Sequence, residues 1–228
     1  MSTFVLVPGA GGDPWFWSRL VPRLEDAGHR AVAVDLPGDD PEVDLEGYID
    51  LVVRAVQGCE GPVVLVGQSF GGFSAAGAAL RVPVQRLVLL NAMIPAPGES
   101  GAGWWKAVGQ AQARRDAERD AGRDPEAGFD VLEVFFHDAP DDVLAEAAEH
   151  ERDEVEAAFH APWPGESWPD VPTAVLAGDD DRLFPLALQQ RVAQERLGLP
   201  VAVVPGGHLN ALTRPVDVAA ALLSLTDG

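Results

Sequence analysis

Six short, continuously apolar runs, separated by stretches of helical periodicity, constrain the fold of this chain most strongly. The runs cover residues 4–7, 31–36, 63–67, 86–90, 173–178 and 201–204. They are rich in Val and Leu and do not alternate with polar residues, a pattern typical of strands buried on both faces of a parallel sheet. Alternation of strands with helices predicts βαβ units with right-handed crossovers. We therefore expect an α/β fold in which a mostly parallel central sheet of about six strands is flanked by helices.

The helical stretches divide the chain into a core and an insertion. Helical periodicity predicts helices over residues 15–27, 45–56, 69–80, 186–197 and 215–225. Between residues 91 and 171 there is no strand pattern, and Gly/Pro-rich ends surround further helical stretches. We predict a core formed by residues 1–91 and 171–228, with a helical cap or lid over residues 92–170. Ligands of open parallel sheets bind outside the carboxyl ends of the strands, so an insertion leaving there would cover the site.

Charge and cysteine content exclude several classes of partner. With 36 acidic and 16 basic residues, the formal net charge is −20, and such a chain would repel nucleic-acid phosphates and anionic membranes. The single cysteine, Cys59, allows no intramolecular disulfide. The N-terminal residues show no basic region followed by a long apolar stretch, and no run approaches a membrane span. These features predict a cytoplasmic monomer or homodimer that binds a small molecule and has no nucleic-acid or membrane partner, no metal and no cofactor.

The glycine-rich loop PGAGGDPWFW follows the first predicted strand and offers a rival interpretation. Gly9 and Gly11 begin like a dinucleotide-binding fingerprint, and Asp35 ends the next strand, where a ribose-binding acid can lie. However, Pro14 stands where the third glycine belongs, and three bulky aromatic residues follow it. A helix beginning in this way cannot approach the sheet as that fingerprint requires, so we exclude nicotinamide or flavin binding.

A second glycine-rich loop, GQSFGG, follows the strand at residues 63–67. It lacks the lysine that a phosphate-binding P-loop needs. Its spacing, Gly67-x-Ser69-x-Gly71 between a strand and a helix, is that of a nucleophile elbow. The serine projects from a strained turn, and the flanking glycines let strand and helix approach without a Cβ clash. We therefore predict that Ser69 is a nucleophile.

A serine nucleophile needs a base and a group that orients the base. Of the five histidines, His208 follows the last strand and precedes the last helix, at the same edge of the sheet as Ser69. Structural roles are expected for the other four, which are His29, His137, His150 and His160. The acid of such a site lies between serine and histidine in the sequence. Three adjacent candidates, Asp179, Asp180 and Asp181, follow the next-to-last strand, whereas Asn91 occupies the other position where an acid could lie.

These motifs resemble those of the α/β-hydrolase family over nearly the whole chain outside the insertion. The segment GDDDRLFP resembles the family pattern G-[ED]-x-D-x-[hydrophobic]-x-P, and this resemblance implies that Asp181 is the acid. The segment GHLNALTRP resembles the family's G-H-x-x-x-x-x-x-P ending and implies that His208 is the base. A more distant similarity of NAMIPAPGE links the chain to the plant esterase and hydroxynitrile-lyase branch and its bacterial relatives.

The resemblance also implies an oxyanion hole. The loop after the first strand resembles the family's H-G-x oxyanion loop, although Pro8 replaces the usual histidine. In the family this histidine supports the loop and does not react. The resemblance implies that the backbone N–H groups of Ala10 and Phe70 bind the oxyanion, with Gly11 a weaker candidate than Ala10.

The expected activity is serine hydrolysis of a carboxylic ester, thioester or lactone with an apolar or neutral acyl group. Five aromatic residues of the insertion are candidates to line the substrate site, or to form the core of the lid, namely Trp104, Trp105, Phe135, Phe136 and Trp163. Lyase or carbon–carbon bond-cleaving chemistry with the same triad is an alternative, because the fold hosts many reactions. A binding module that kept the fold is a third hypothesis, against which the intact Ser/Asp/His set argues.

Overall fold

A six-stranded, fully parallel sheet forms the centre of the computed structural model, which describes residues 1–226 except 151, 153 and 155. The strands are β1 (Thr3–Val7), β2 (Arg30–Ala33), β3 (Val63–Gln68), β4 (Arg86–Leu90), β5 (Thr173–Gly178) and β6 (Val201–Val204). Their order in the sheet is β2-β1-β3-β4-β5-β6. This arrangement confirms the predicted α/β fold with a parallel sheet.

Helices cover both faces of the sheet. They are α1 (Val21–Asp26), α2 (Leu45–Gln57), α3 (Gly71–Ala79), α4 (Gly101–Ala107), α5 (Gln110–Asp120), α6 (Val131–Phe135), α7 (Asp141–Ala147), α8 (Glu156–His160), α9 (Leu186–Leu197), α10 (Asn210–Thr213) and α11 (Pro215–Ser224). Buried side chains of α2, α3 and α9 pack in one apolar cluster, and those of α1 and α11 pack in another.

Alternate strand residues supply these two clusters, which explains the continuous apolar runs. In β1, Val5 and Val7 belong to the cluster of α2 and α3, whereas Phe4 and Leu6 belong to the cluster of α1 and α11. All four are fully buried. Burial of one such side chain stabilises the fold by about 1.5–3 kcal/mol, so a polar residue on either face of β1 would be costly.

Two of the predicted element boundaries were wrong. Residues 15–27 form a short 3₁₀ helix at Pro14–Trp17 and then the separate helix α1. Pro22 explains the break, because it has no N–H to continue a helix and fits at the first turn of a new one. The strand predicted over residues 31–36 ends at Ala33, and the Leu36 amide instead donates to the Gly12 carbonyl at 3.0 Å.

Residues 92–170, which we call the cap segment, connect β4 to β5 and contain helices α4 to α8. The ring of Phe159 in α8 lies 5.1 Å from that of Phe70, which follows Ser69 in the chain. In α4, Trp104 lies 4.9 Å from Phe184, in the loop after β5. These contacts place the cap segment against the carboxyl edge of the sheet. Among the described residues, no helix is both long and apolar enough to cross a membrane.

Candidate active site

Loops from five neighbouring strands meet at the carboxyl edge of the sheet. The strand ends are level there, since Val7 pairs with Gly67, Gln68 with Leu90 and Gly178 with Val204. The loops that follow these ends carry the residues singled out in the sequence, which are Ala10, Ser69, Asn91, Asp181 and His208. The topology therefore collects into one region residues that are far apart in the chain.

Ser69 lies in the turn between β3 and α3 with strained backbone geometry. Its φ of +53° is in the left-handed region, which is unusual for a residue with a side chain. The neighbouring glycines are required sterically. A Cβ on Gly71 would lie 2.3 Å from the Pro8 carbonyl oxygen, and one on Gly9 would lie 2.8 Å from the Ser69 Cβ. The half-buried serine lines a cavity that residues of the cap segment also border.

His208 and Asp181 form a buried pair next to this cavity. The His208 Nδ1 atom lies 2.8 Å from Asp181 Oδ2, and the two residues are 1% and 4% exposed. The other carboxylate oxygen, Oδ1, accepts hydrogen bonds from the amides of Leu183 and Phe184 at 2.9 and 2.8 Å. Because Oδ1 is held by these two amides, Oδ2 is directed at the imidazole.

Two aromatic rings hold the imidazole of His208 edge to face. The ring of Phe184 lies 5.0 Å from it and that of Phe135, in α6 of the cap segment, lies 5.4 Å from it. The second ring nitrogen, Nε2, is buried and has no hydrogen-bond partner among the described residues. An unpaired buried nitrogen costs free energy unless a ligand or a reacting group uses it, and His208 borders the same cavity as Ser69.

The three adjacent aspartates have different partners. Asp179 Oδ1 accepts a hydrogen bond from the Gly206 amide at 2.8 Å and so stabilises the turn before His208. Asp180 Oδ2 lies 3.1 Å from His137 Nε2 of the cap segment. Of the three, the structure places the carboxylate of Asp181 at hydrogen-bond distance from His208.

The residues Ala10 and Phe70 border the same cavity as Ser69. The hydrogen bonds within the described part of the chain include none donated by the backbone amide of either residue. The Gly11 amide, by contrast, donates to Glu154 Oε2 of the cap segment at 2.8 Å. The Gly11 amide is therefore already hydrogen-bonded, which favours the Ala10 amide as the donor from this loop to an oxyanion.

Glu154 is a carboxylate that the sequence did not single out. Its Oε1 accepts a hydrogen bond from the Tyr48 hydroxyl at 2.9 Å, and the residue borders the cavity. Burial raises the pKa of Glu154 above its ordinary value, although the hydrogen bonds from Gly11 and Tyr48 oppose the shift. Burial and the neighbouring Glu154 charge also raise the pKa of Tyr48.

We expect Glu154→Gln to stabilise the protein increasingly as the pH rises above about 4, the range in which a free glutamate ionises. Because the folded-state pKa lies above the unfolded one, the parent loses stability as pH rises between the two values. Glutamine can accept from Gly11 and donate to the Tyr48 oxygen without this charge. Thermal denaturation from acidic to mildly alkaline pH measures the difference. An equal gain in the exposed control Glu166→Gln would attribute the effect to overall charge instead.

The cavity has a volume of about 720 Å³, within the range of sites for drug-sized molecules. Of the aromatic candidates, Trp105, Phe135 and Phe136 line it. Trp104 and Trp163 are 2% and 1% exposed and are not among the lining residues. Their indole N–H groups donate to the carbonyls of Ile94 and Phe73, because a buried indole requires an acceptor.

Sequence reasoning missed most of the apolar lining. The cavity is also bordered by Phe16, Met93, Phe129, Val131, Leu132, Leu144 and Phe159. Phe16 follows directly on the loop after β1, and Phe129 and Leu132 lie close in sequence to Phe135. Their closeness to predicted site residues was a weak indication that these three residues line the cavity. Across the described residues there is no group of three or more His, Cys, Asp or Glu side chains suited to a metal ion.

Comparison with protein-family models agrees with this geometry. The model described as the alpha/beta hydrolase family matches residues 4–221. The chain therefore belongs to the alpha/beta hydrolase family, as the resemblance of its motifs implied.

Bacterial and plant relatives are found within this family. A pyrethroid hydrolase from Sphingobium wenxiniae is 30% identical over 253 residues, covering 100% of this chain and 88% of that protein. The probable esterase PIR7A of Oryza sativa subsp. indica is 42% identical over 109 residues, which cover 42% of this chain and 41% of the esterase. The crystal structure of a pyrethroid hydrolase from Sphingobium faniae JZ-2 superposes with a TM-score of 0.80 and 24% identity, covering 100% of this chain and 98% of that chain, and shows a shared fold.

Proposed function

We propose that this protein is a serine hydrolase that cleaves a carboxylic ester, thioester or lactone through an acyl-enzyme on Ser69. The observation that carries the proposal is the buried His208–Asp181 pair, whose free Nε2 borders the same cavity as the strained Ser69. The relatives named above, which are hydrolases and an esterase, support hydrolysis of an ester bond.

In the proposed reaction, His208 removes the Ser69 proton as the hydroxyl oxygen attacks the substrate carbonyl carbon. The carbonyl π bond opens to an oxyanion, which accepts hydrogen bonds from the Ala10 and Phe70 amides, each contributing roughly 10²–10³ in rate. Asp181 keeps the Nδ1 proton in place and stabilises the imidazolium. The carbonyl double bond then re-forms from the oxyanion as the bond between the acyl carbon and the leaving oxygen or sulfur breaks, and His208 gives its proton to that atom. Water attacks the acyl-enzyme by the reverse sequence and releases the acid.

We further propose that the cap segment covers the site and selects a substrate with an apolar or neutral acyl group. Most of the side chains around the cavity are aromatic or aliphatic, including Phe136 and Phe135, whose ring lies beside His208. Its charged lining residues are Arg152 and Glu154, both from the cap segment. Binding of a bulky apolar group would remove water from the reacting atoms and strengthen the oxyanion hydrogen bonds.

A common acyl-enzyme predicts a product ratio independent of the leaving group. With p-nitrophenyl acetate and phenyl acetate in dilute methanol, we expect the same ratio of methyl acetate to acetate, because both esters form the same intermediate on Ser69. Gas chromatography of the products measures the ratio, with enzyme-free reactions as the control. Ratios that differ between the two esters would contradict the proposal.

The lyase alternative is tested in the same protein. Lyase chemistry uses the serine and histidine for proton transfer and forms no acyl-enzyme. An aromatic cyanohydrin, mandelonitrile, would then be split into benzaldehyde and cyanide, and acetate esters would remain uncleaved. Conversely, cleavage of acetate esters to acid and alcohol without benzaldehyde formation would reject the lyase alternative.

A further inference from the structure

Two buried side-chain amides hold the main chain of His208. The carbonyl oxygen of His208 accepts a hydrogen bond from Gln68 Nε2 at 3.2 Å and another from Asn91 Nδ2 at 3.0 Å. A carbonyl oxygen has two lone pairs, so these two donors satisfy it completely. Neither donor has a role in the proposed proton transfers or in the oxyanion hole.

Gln68 links the histidine to the strand that carries the nucleophile. It is the last residue of β3, lies immediately before Ser69 and is 5% exposed. Its hydrogen bond therefore spans 140 positions of sequence to join the base directly to the residue next to the nucleophile.

Asn91 links the histidine to the loop that carries the acid. It follows β4, is fully buried and has a φ of +47°, a left-handed conformation that asparagine tolerates better than most residues. Its Oδ1 accepts from the amide of Gly178, at the end of β5, at 2.7 Å. Its Nδ2 also lies 3.3 Å from the Gly207 carbonyl oxygen and 3.1 Å from Asn210 Oδ1.

An amide is the chemistry that this position requires. One side of the Asn91 group faces a backbone N–H and must accept, whereas the other faces backbone carbonyls and must donate. A carboxylate would turn an acceptor oxygen toward the carbonyls of Gly207 and His208. Asn91 is thus suited to hold the histidine loop and not to serve as an alternative acid.

We propose that Gln68 and Asn91 are positioning residues that set the separation of His208 Nε2 from Ser69 by holding the His208 carbonyl. The inference rests on the proposed function, because it concerns proton transfer between these two residues. Nε2 has no partner of its own within the described part of the chain. The orientation of the imidazole is fixed by the Nδ1 contact with Asp181 and by the two neighbouring rings. The placement of the main chain therefore determines the reach of Nε2, and a displacement of about 1 Å can cost about 10²-fold in rate.

Gln68→Met and Asn91→Gly test the inference. Methionine nearly preserves the shape of Gln68, and glycine adopts the left-handed conformation of Asn91 without strain. We expect kcat for p-nitrophenyl acetate to fall about 10- to 100-fold in each variant, with KM changed by less than about threefold. The rate of phosphonylation of Ser69 by a small fluorophosphonate should fall in parallel, because that reaction also needs His208.

Thr173→Val is the matched control. Thr173 Oγ1 donates to the Val171 carbonyl at 3.0 Å and accepts from Trp168 Nε1 at 3.1 Å, at the amino end of β5 and away from the site. The control should lower the Tm without changing kcat. If Gln68→Met and Asn91→Gly also lower only the Tm, with kcat of the folded protein within about twofold of the parent, their role is structural and the inference is overturned.

Failure of this inference is separable from failure of the proposed function. If Ser69→Ala hydrolyses the ester at the parental rate, the proposed function itself is wrong. If Ser69→Ala is inactive while both amide variants keep the parental kcat and phosphonylation rate, the positioning role alone is wrong. Should one amide variant fail to fold, the other still decides, because the two side chains hold the same carbonyl oxygen from the ends of two different strands.

Discussion

Ser69→Ala is expected to lower kcat/KM for p-nitrophenyl butyrate by about 10⁴- to 10⁶-fold while leaving the fold intact. The substitution removes the proposed nucleophile but keeps the Cβ atom, so the strained turn at φ +53° gains no new clash. The His208–Asp181 pair and the amides of the proposed oxyanion hole remain, and we expect them to provide the residual rate. Initial rates together with fluorophosphonate labelling measure the effect.

Ser74→Ala is the matched control for this experiment. Ser74 lies in α3, one turn beyond the elbow, and is 1% exposed. Its hydroxyl oxygen has no hydrogen-bond partner in the described part of the structure, so its removal breaks no such bond. We expect parental kcat/KM and full labelling for Ser74→Ala. Parental activity in Ser69→Ala would show instead that the nucleophile assignment is wrong.

The second large effect is expected for Asp181→Asn, with kcat lowered by about 10³- to 10⁴-fold. The amides of Leu183 and Phe184 both donate to Oδ1, so the new side chain must keep its oxygen on that side. Its NH₂ group then faces His208 Nδ1, which must accept. The ring proton moves to Nε2, where the base needs a free lone pair, and His208 can no longer take the Ser69 proton.

Asp180→Asn controls for the loss of a neighbouring charge. Asp180 is exposed, and its carboxylate contacts His137 of the cap segment. We expect this variant to keep kcat within about threefold of the parent. Steady-state kinetics on one ester compare the two. If Asp181→Asn lost less than about tenfold in kcat, or Asp180→Asn lost as much as Asp181→Asn, Asp181 would not be the orienting acid.

The sheet was predictable from the sequence because strands buried on both faces consist of continuous apolar residues. Five of the six predicted strands agree with the structure within one residue, and only the strand predicted over residues 31–36 does not. The elbow was readable for a related reason, since a Cβ on Gly67 would lie 2.7 Å from the carbonyl oxygen of Gly71, within the same strand–turn–helix unit. Burial on both faces of a strand and close contacts within one turn involve residues near one another in the chain, so a short stretch of sequence is enough to predict them.

The cap segment was predictable as helical but not in its contacts. Nothing in the spacing of the aromatic residues separated Trp105, which lines the cavity, from Trp104, which is buried. The two are adjacent in one short helix, and which one faces the cavity depends on how α4 packs against Phe184. Glu154 was missed for the same reason, because its partners Gly11 and Tyr48 come from distant parts of the chain.

By itself, the sequence determined the parallel sheet, the strained turn at Ser69 and the edge at which His208 lies, because periodicity and glycine sterics express these features locally. It left the choice among three aspartates to a family pattern and gave no sign of the amides that hold His208. Only the tertiary structure places Asp181, and not its two neighbours, against His208 and brings Gln68 and Asn91 to the His208 carbonyl. A carboxylate or an amide acquires its partner only when the loops after different strands are brought together. The hydrogen bonds that join His208 to Asp181, Asn91 and Gln68 span 27, 117 and 140 positions of the chain. They form because the loops come together, and no local pattern predicts them.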